Sequence, residues 1–222
     1  MSAGGLVSSC AISVNVPTIS LAAPVTVTGA GQSFTATATT IDLDTAISTA
    51  GGVVSINGPS TLIENTSIDT TAAGSVAAGA NVTLNLVQAE NASSGEVLSI
   101  NAGTGGDISI TQLTTNVGLT VTDANDVSLT AGANSVSAID VQASSTFSSA
   151  DSISTQGDIL ITADSGPTAV ELDQVFLNGN NLLLTVGADV VLQSTTAPGI
   201  ESLGMPGAVS YTHLTLPTIR WV

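Results

Sequence analysis

Apolar and polar residues alternate along most of this chain, the period-two mark of a strand that buries one face. Val25-Thr-Val-Thr28, Val53-Val-Ser-Ile56, Val82-Thr-Leu-Asn-Leu86 and Ile108-Ser-Ile110 carry the pattern in the first half. Leu119-Thr-Val121, Val127-Ser-Leu129, Ile159-Leu-Ile161, Leu182-Leu-Leu184 and Val190-Val-Leu192 continue it. Val, Ile and Thr recur in these runs, and β-branched side chains pack well on a pleated surface. Between them stand clusters of Gly, Asn, Asp and Ser, which accept φ > 0 or bond back to the local backbone. No segment sustains an apolar stripe at i, i+3, i+4, i+7, and helix-favouring Lys, Arg and Glu are scarce. The pattern predicts an all-β chain.

A repeat lies beneath the alternation. A small turn residue, then Asn or Asp, then apolar–x–apolar occurs at Ala80–Leu84, Gly106–Ile110, Asn125–Leu129, Gly157–Ile161 and Ala188–Leu192. Measured from Val82 to Ile108, Val127, Ile159 and Val190, the steps are 26, 19, 32 and 31 residues. With Leu98–Ile100, Leu119–Val121 and Val170–Leu172 in the gaps, strand starts fall roughly 8 to 12 residues apart. A β-sandwich and a β-solenoid with rungs of roughly 20 residues both fit that spacing. The solenoid is the better fit. Residues 1–208 hold only Phe34, Phe147 and Phe176 as aromatics, so the core is aliphatic ladders rather than a sandwich packed on a large anchor. Similar residues returning in register also suit stacked coils. The predicted architecture is a β-solenoid of roughly 20-residue rungs, with β-sandwich-type repeats as the alternative.

Charge sharpens the picture. The 222 residues contain 17 Asp+Glu, one Lys+Arg and one His, a formal net charge of −16. Yet the hydrophobic fraction is 43%, which excludes the acidic, aliphatic-poor route to disorder. One cation cannot neutralise a row of phosphates, so nucleic acid is excluded as a partner. Attraction to an anionic membrane surface is excluded for the same reason. No run of 18 apolar residues spans a membrane, and the start, Met1–Leu6, lacks the basic and apolar regions of a signal peptide. Val7-Ser-Ser-Cys10 is only loosely like a lipobox, again without a cationic start. The single Cys10 has no internal disulfide partner.

The scarce residues share one place. Tyr211, His213, Arg220 and Trp221 all lie in the last dozen residues, while every acid lies between Asp42 and Glu201. Residues 1–208 therefore carry −17 and residues 209–222 carry +1. The string Val209-Ser-Tyr-Thr-His-Leu-Thr-Leu-Pro-Thr218 resembles the translation of a transposon-type sequencing-library adapter, with Ile219–Trp221 in its variable index and Val222 before a stop. That resemblance implies two parts, a strand-repeat solenoid at 1–208 and a non-native tail at 209–222. It also implies a reading frame cut near Ala208, the natural protein continuing beyond.

A family resemblance rests on Gly52-Val-Val-Ser-Ile-Asn-Gly through Ile68-Asp-Thr-Thr71, on Ala78-Gly-Ala-Asn-Val-Thr-Leu84 and on Leu98-Ser-Ile-Asn-Ala-Gly-Thr-Gly-Gly-Asp-Ile-Ser-Ile110. Residues 50–195 resemble the large secreted β-strand-repeat proteins related to filamentous haemagglutinins and autotransporter passenger domains. The resemblance implies a right-handed parallel β-helix at, or released from, a bacterial surface, with an extracellular location. It implies a structural or adhesive role toward some surface or matrix ligand. Members carry an N-terminal secretion segment, which this stretch does not show.

Candidate chemistry is thin. Outside the tail there is no His, Lys, Arg or Tyr, which removes His-based nucleophilic sites, Schiff bases and cationic clamps. His213 stands without partners at ligand or triad spacing. A glycan-cleaving β-helix needs a carboxylate pair, for which Asp42 with Asp44, and Glu171 with Asp173, are the candidates at strand spacing. Alternating with Ile41 and Leu43, and with Val170 and Leu172, they read more simply as the solvated face of strands. Gly103-Thr-Gly-Gly-Asp107-Ile-Ser-Ile110 is similar to a calcium β-roll nonapeptide but is one residue short and has no tandem copy. It is no phosphate loop either, since neither Lys nor a helix follows. Asn65, Asn81 and Asn91 head formal glycosylation sequons of a kind that chance supplies in so Asn-, Ser- and Thr-rich a chain. The sequence thus designates no catalytic, cofactor-binding or metal residue. It predicts a non-enzymatic stalk or spacer, with a calcium-associated binding module and a glycan-active β-helix as the alternatives.

Overall fold

A computed structural model of the chain describes residues 5–164, 168–193, 200–201, 209–213 and 219–221. These form parallel strands and no helix, wound as a β-solenoid of about nine turns. Successive passes of the chain share one plan of up to three faces.

The first pass holds β1 (Leu6–Ser8), β2 (Ile12–Asn15) and β3 (Thr18–Leu21). The second holds β4 (Val25–Ala30), β5 (Phe34–Thr37) and β6 (Thr40–Leu43). The third holds β7 (Ala46–Ala50), β8 (Val54–Asn57) and β9 (Ser60–Leu62). From there some strands run across corners. The fourth pass is β10 (Thr66–Asp69) and the long β11 (Val82–Ala89), and the fifth is β12 (Val97–Asn101) and β13 (Ile108–Thr114). Next come β14 (Val117–Asp123) and β15 (Asp126–Leu129), then β16 (Asn134–Ala143) and β17 (Thr146–Ser149). Three-stranded passes resume with β18 (Ile153–Thr155), β19 (Ile159–Ala163) and β20 (Thr168–Leu172), followed by β21 (Val175–Phe176), β22 (Leu182–Val186) and β23 (Asp189–Leu192). Finally β24 (Ile200–Glu201), β25 (Val209–His213) and β26 (Ile219–Trp221) lie on the last of these.

Hydrogen bonding joins these strands into two 13-stranded parallel sheets. One runs through β1, β4, β7, β10, β12, β14 and β16, then β19, β22 and β25; the second runs through β2, β5, β8, β11, β13, β15, β17, β20, β23 and β26. Corners inside the long strands are visible as slips in the burial phase. In β11 the inward residues are Val82 and Leu84, then Val87 and Ala89; in β16 they are Asn134 and Val136, then Ile139 and Val141. A step of three in place of two turns the strand onto the next face.

The core is a set of continuous aliphatic ladders. On the second sheet Phe34, Val54, Val82, Ile108, Val127, Phe147, Val170 and Val190 stack in register, and beside them Ala36, Ile56, Leu84, Ile110 and Leu129 do the same. On the first sheet the ladder is Val25, Ile47, Ile68, Ile100, then Val121, Val141, Ile161 and Leu184. All are buried. Two of the three phenylalanines, Phe34 and Phe147, are fully buried in a single ladder. They fill the same layer that valines fill elsewhere, not a separate anchor site.

The rung length expected from sequence is the observed one. Register steps on the first sheet run from 19 residues (Leu6 to Val25) to 23 (Ile159 to Leu182) through most of the stack, with one of 32 from Ile68 to Ile100. The repeat inferred from Asn/Asp motifs needs one correction. Val82, Ile108, Val127 and Val190 do share a ladder, but Ile159 pairs with Ile139 and Leu182 on the other sheet. The true successors of Val127 are Phe147 and Val170, at steps of 20 and 23. The apparent 32-residue step is a full pass plus a change of face.

Each coil sits directly on its neighbours, and some backbone contacts leave no room for a Cβ. At Gly52 an added Cβ would collide with the carbonyl oxygen of Gln32 in the coil below. Equilibrium denaturation should therefore show Gly52→Ala destabilising by about 1–3 kcal/mol. Ile110→Ala, which empties a fully buried ladder position, should cost about 2–5 kcal/mol. Thr83→Ala, outward on the same sheet, should stay within about 0.5 kcal/mol.

Candidate functional site

Most inward positions are packed hydrocarbon, so candidate chemistry falls mainly on the outward positions of the strands and on the corners between them. On the second sheet the alternation that buries Val82 and Leu84 turns Thr83 outward, and register repeats this in every coil. The resulting column is Ser13, Thr35, Ser55, Thr83, Ser109, Ser128 and Ser148. Seven consecutive coils thus present a hydroxyl, about 4.8 Å apart along the stack. The column ends at Glu171 and Val191. On the first sheet the corresponding column runs Ser67, Ser99, Thr120, Asp140, Leu160, Leu183, passing from hydroxyl through acid to apolar. A shallow depression of about 290 Å³ lies over Ser128, Thr130, Ser148 and Glu171.

Each of the two candidate acid pairs spans a strand end. Asp42 is outward on β6, between Ser20 and Thr61, while Asp44 lies past the strand end with its N–H donated to the Leu21 carbonyl at 3.0 Å. Glu171 is outward on β20 and accepts a hydrogen bond from Gln193 Nε2; Asp173 again lies past the strand end. Neither pair shares one strand, since each second acid falls at a corner. Asp42 and Glu171 are six passes apart and on different faces, about 29 Å along the axis at about 4.8 Å per pass. Among the described residues no group of three or more His, Cys, Asp or Glu is placed to hold a metal ion.

Gly103–Gly106 forms the corner between β12 and β13, with Gly103 at φ 72°. The Asp107 carboxylate that follows is engaged within the stack, accepting from Asn125 Nδ2 at 2.8 Å. Asp107 N–H in turn donates to Asn81 Oδ1 at 3.0 Å. One coil further on, Asp126 Oδ1 accepts both the N–H and the hydroxyl of Thr146, at 3.0 and 2.7 Å. Asn81, Asp107, Asn125 and Asp126, at the head of the apolar–x–apolar motif, therefore form a corner ladder that joins each coil to a neighbour. Asp158 repeats it toward Asn181 on the other sheet, at 2.8 Å from the Asn181 N–H. This is why Gly157–Ile161 looks like a member of the same repeat.

The sequon asparagines serve corners too. Asn65 Oδ1 accepts from Val97 N–H at 2.9 Å, Asn81 from Asp107 as above, and Asn91 Oδ1 from Ser93 N–H at 3.1 Å. Cys10 is exposed between β1 and β2. The backbone of His213 lies at the end of β25, opposite Val186; its side chain falls outside the described residues.

Two elements of the corners escaped sequence reasoning. Asn134 is 2% exposed on an inward position, where its Oδ1 accepts from Leu113 N–H at 2.9 Å and its Nδ2 donates to the Gly132 carbonyl. The other is the excursion between β10 and β11, organised by Asp69. Neither has a local signal, since both depend on which backbone groups the fold leaves unpaired.

Comparison with protein-family models, with curated proteins and with solved structures returned no match for this chain. Among the described residues no helix is long and apolar enough to cross a membrane.

Asn134 gives the sharpest test of the corner chemistry. Asn134→Ala leaves the Leu113 N–H without its acceptor in a buried corner, and a thermal melt should report a loss of about 1–3 kcal/mol.

Proposed function

We propose that this chain is a non-enzymatic structural repeat region, a stalk or spacer, of a large bacterial surface-displayed or secreted protein, and that its outer faces make adhesive contacts with a surface or matrix ligand. The observation that carries the reading is the pairing of a continuous stack with what its outer faces offer. Seven coils present hydroxyls in one column, and residues 1–208 contain no basic side chain at all. A rigid surface of hydroxyls and scattered acids can make many weak contacts. It has no imidazole, amine or guanidinium to take a proton, form a covalent intermediate or stabilise an oxyanion. Carboxylates alone could serve glycoside cleavage if two flanked one bond, about 5–10 Å apart. In each candidate pair the second acid lies past the strand end, so the two do not stand on one strand face as the alternation suggested.

The resemblance to filamentous haemagglutinins and autotransporter passengers supports the display of such a stack outside the cell. Residues 209–222 we attribute to adapter-derived sequence. The pairing of residues 209–213 with β22 and of 219–221 with β23 is compatible with that origin, because an open sheet edge accepts any strand of suitable alternation. Genomic DNA read across the Gly207–Val209 junction should diverge from the adapter string; native codons for Val209–Thr218 would overturn the attribution.

One assay separates the three functional readings. The purified chain is offered a broad panel of neutral and acidic glycans and immobilised matrix proteins, with and without millimolar calcium. Retention on one or more surfaces without release of reducing ends is the expected result, together with a melting temperature that calcium leaves unchanged. Release of reducing ends that disappears in the Asp42→Asn, Asp44→Asn, Glu171→Gln, Asp173→Asn variant would establish the enzyme instead. A calcium-dependent rise in melting temperature would establish the cation-binding module.

A further inference from the structure

The longest circuit of the stack, 32 residues from Ile68 to Ile100, contains an excursion between β10 and β11 that does not hang free. It begins with three consecutive residues at positive φ, Ala72 (49°), Ala73 (56°) and Gly74 (85°). For alanine the left-handed region brings Cβ against the following carbonyl, so two such residues in succession are strained.

One carboxylate organises that turn. Asp69 Oδ1 accepts from the Thr71 N–H at 2.7 Å and from the Thr71 hydroxyl at 2.6 Å, while Oδ2 accepts from the Ala73 N–H at 2.8 Å. The Thr71 hydroxyl then accepts from the Gly74 N–H at 2.9 Å. Thr71 is itself buried. The acid therefore holds, directly or through one hydroxyl, the amides of Thr71, Ala73 and Gly74, while the Ala72 N–H donates to the Thr49 carbonyl at 3.1 Å.

Beyond the turn the excursion reaches across three coils. An added Cβ at Gly51, in the coil below, would meet Val76 Cγ1 at 3.0 Å, so the valine lies against that glycine. In the coil above, the N–H groups of Thr104 and Gly105 donate to the carbonyls of Ala77 and Ala78 at 3.0 and 2.9 Å. At the base, the Thr70 hydroxyl donates to the Ala102 carbonyl at 3.2 Å and accepts from the Ala80 N–H at 2.9 Å. These contacts lie outside the sheet ladders that join the coils elsewhere.

We propose that residues 70–80 are a strap that staples three successive coils from outside the sheets, and that Asp69 is the positioning residue that latches it shut against backbone strain at Ala72 and Ala73. The latch makes this stretch a cooperative unit of its own, able to open while the ladders on either side stay paired. Opening frees the carbonyls of Ala77 and Ala78 and the amides of Thr104 and Gly105, so the third, fourth and fifth coils are then held by their sheets alone. The device is independent of what the outer faces bind.

Amide hydrogen exchange on the whole chain tests it. In Asp69→Ala, exchange at Thr71, Ala73, Gly74, Ala80, Thr104 and Gly105 should quicken about ten- to a hundred-fold, the effect of losing hydrogen bonds to a charged acceptor. Exchange at Val127 and Ile139 should not change. Adding Ala72→Gly and Ala73→Gly to that variant should recover part of the protection, because glycine adopts these φ values without strain. Unchanged exchange at the six amides would overturn the latch, and an equal rise throughout the chain would overturn the separate strap. If Asp69→Ala does not fold, Ala72→Gly with Ala73→Gly in the otherwise native chain decides the strain claim. Slower exchange at Thr71 and Ala73 supports it, and equal or faster exchange there overturns it.

Discussion

Everything in this molecule depends on parallel, in-register pairing of each coil with the next. The backbone N–H and C=O groups of one coil are satisfied by the coils above and below, so each residue is placed directly over its equivalent about 20 positions away. That constraint fixes the chemistry of the inside. A ladder position tolerates Val, Ile, Leu or Phe because each fills one layer, as Phe34 and Phe147 do among valines. It does not tolerate a side chain where another backbone must pass, as at Gly52 over Gln32. Stability then accumulates coil by coil through nearest neighbours, as in other repeat architectures.

Corners are where that economy fails, because the chain must leave the ladder to turn. The polar groups exposed there are met by side chains. Asn81, Asp107, Asn125 and Asp126 link successive coils on one edge, Asp158 does so on another, and Asn134 closes a buried corner from an inward position. Much of the acidic and amide content of the chain is therefore structural. That matters for function, since carboxylates already engaged in corner bonds are poor candidates for catalysis or for a metal site. Asp69 extends the same chemistry to a larger excursion.

The outer faces are left with hydroxyls, scattered acids and a few apolar residues such as Leu160 and Leu183. Residues 1–208 add no basic side chain to these faces. At Asp42 and Asp44, and at Glu171 and Asp173, the second acid falls past a strand end.

The strand class, the rung length and most inward residues were legible in the alternation itself, because a strand with one buried face writes its period into the sequence. Strands such as β9, β10 and β18 were not, since Ser60, Thr66 and Thr155 occupy inward positions where an apolar residue is expected. The absence of basic chemistry in residues 1–208 was likewise fixed by composition alone. Which residues are equivalent was decided only in three dimensions. Gly157–Ile161 shares Gly-Asp-Ile-x-Ile with the corner motif of Gly106–Ile110, yet belongs to the other sheet. The reason is physical: local sequence sets which face of a strand is buried, while the side of the coil on which that strand lies depends on how many residues the preceding corners consume. The Asp69 latch and the Asn134 bridge were decided there too, because an acceptor is needed only where winding leaves a donor unpaired.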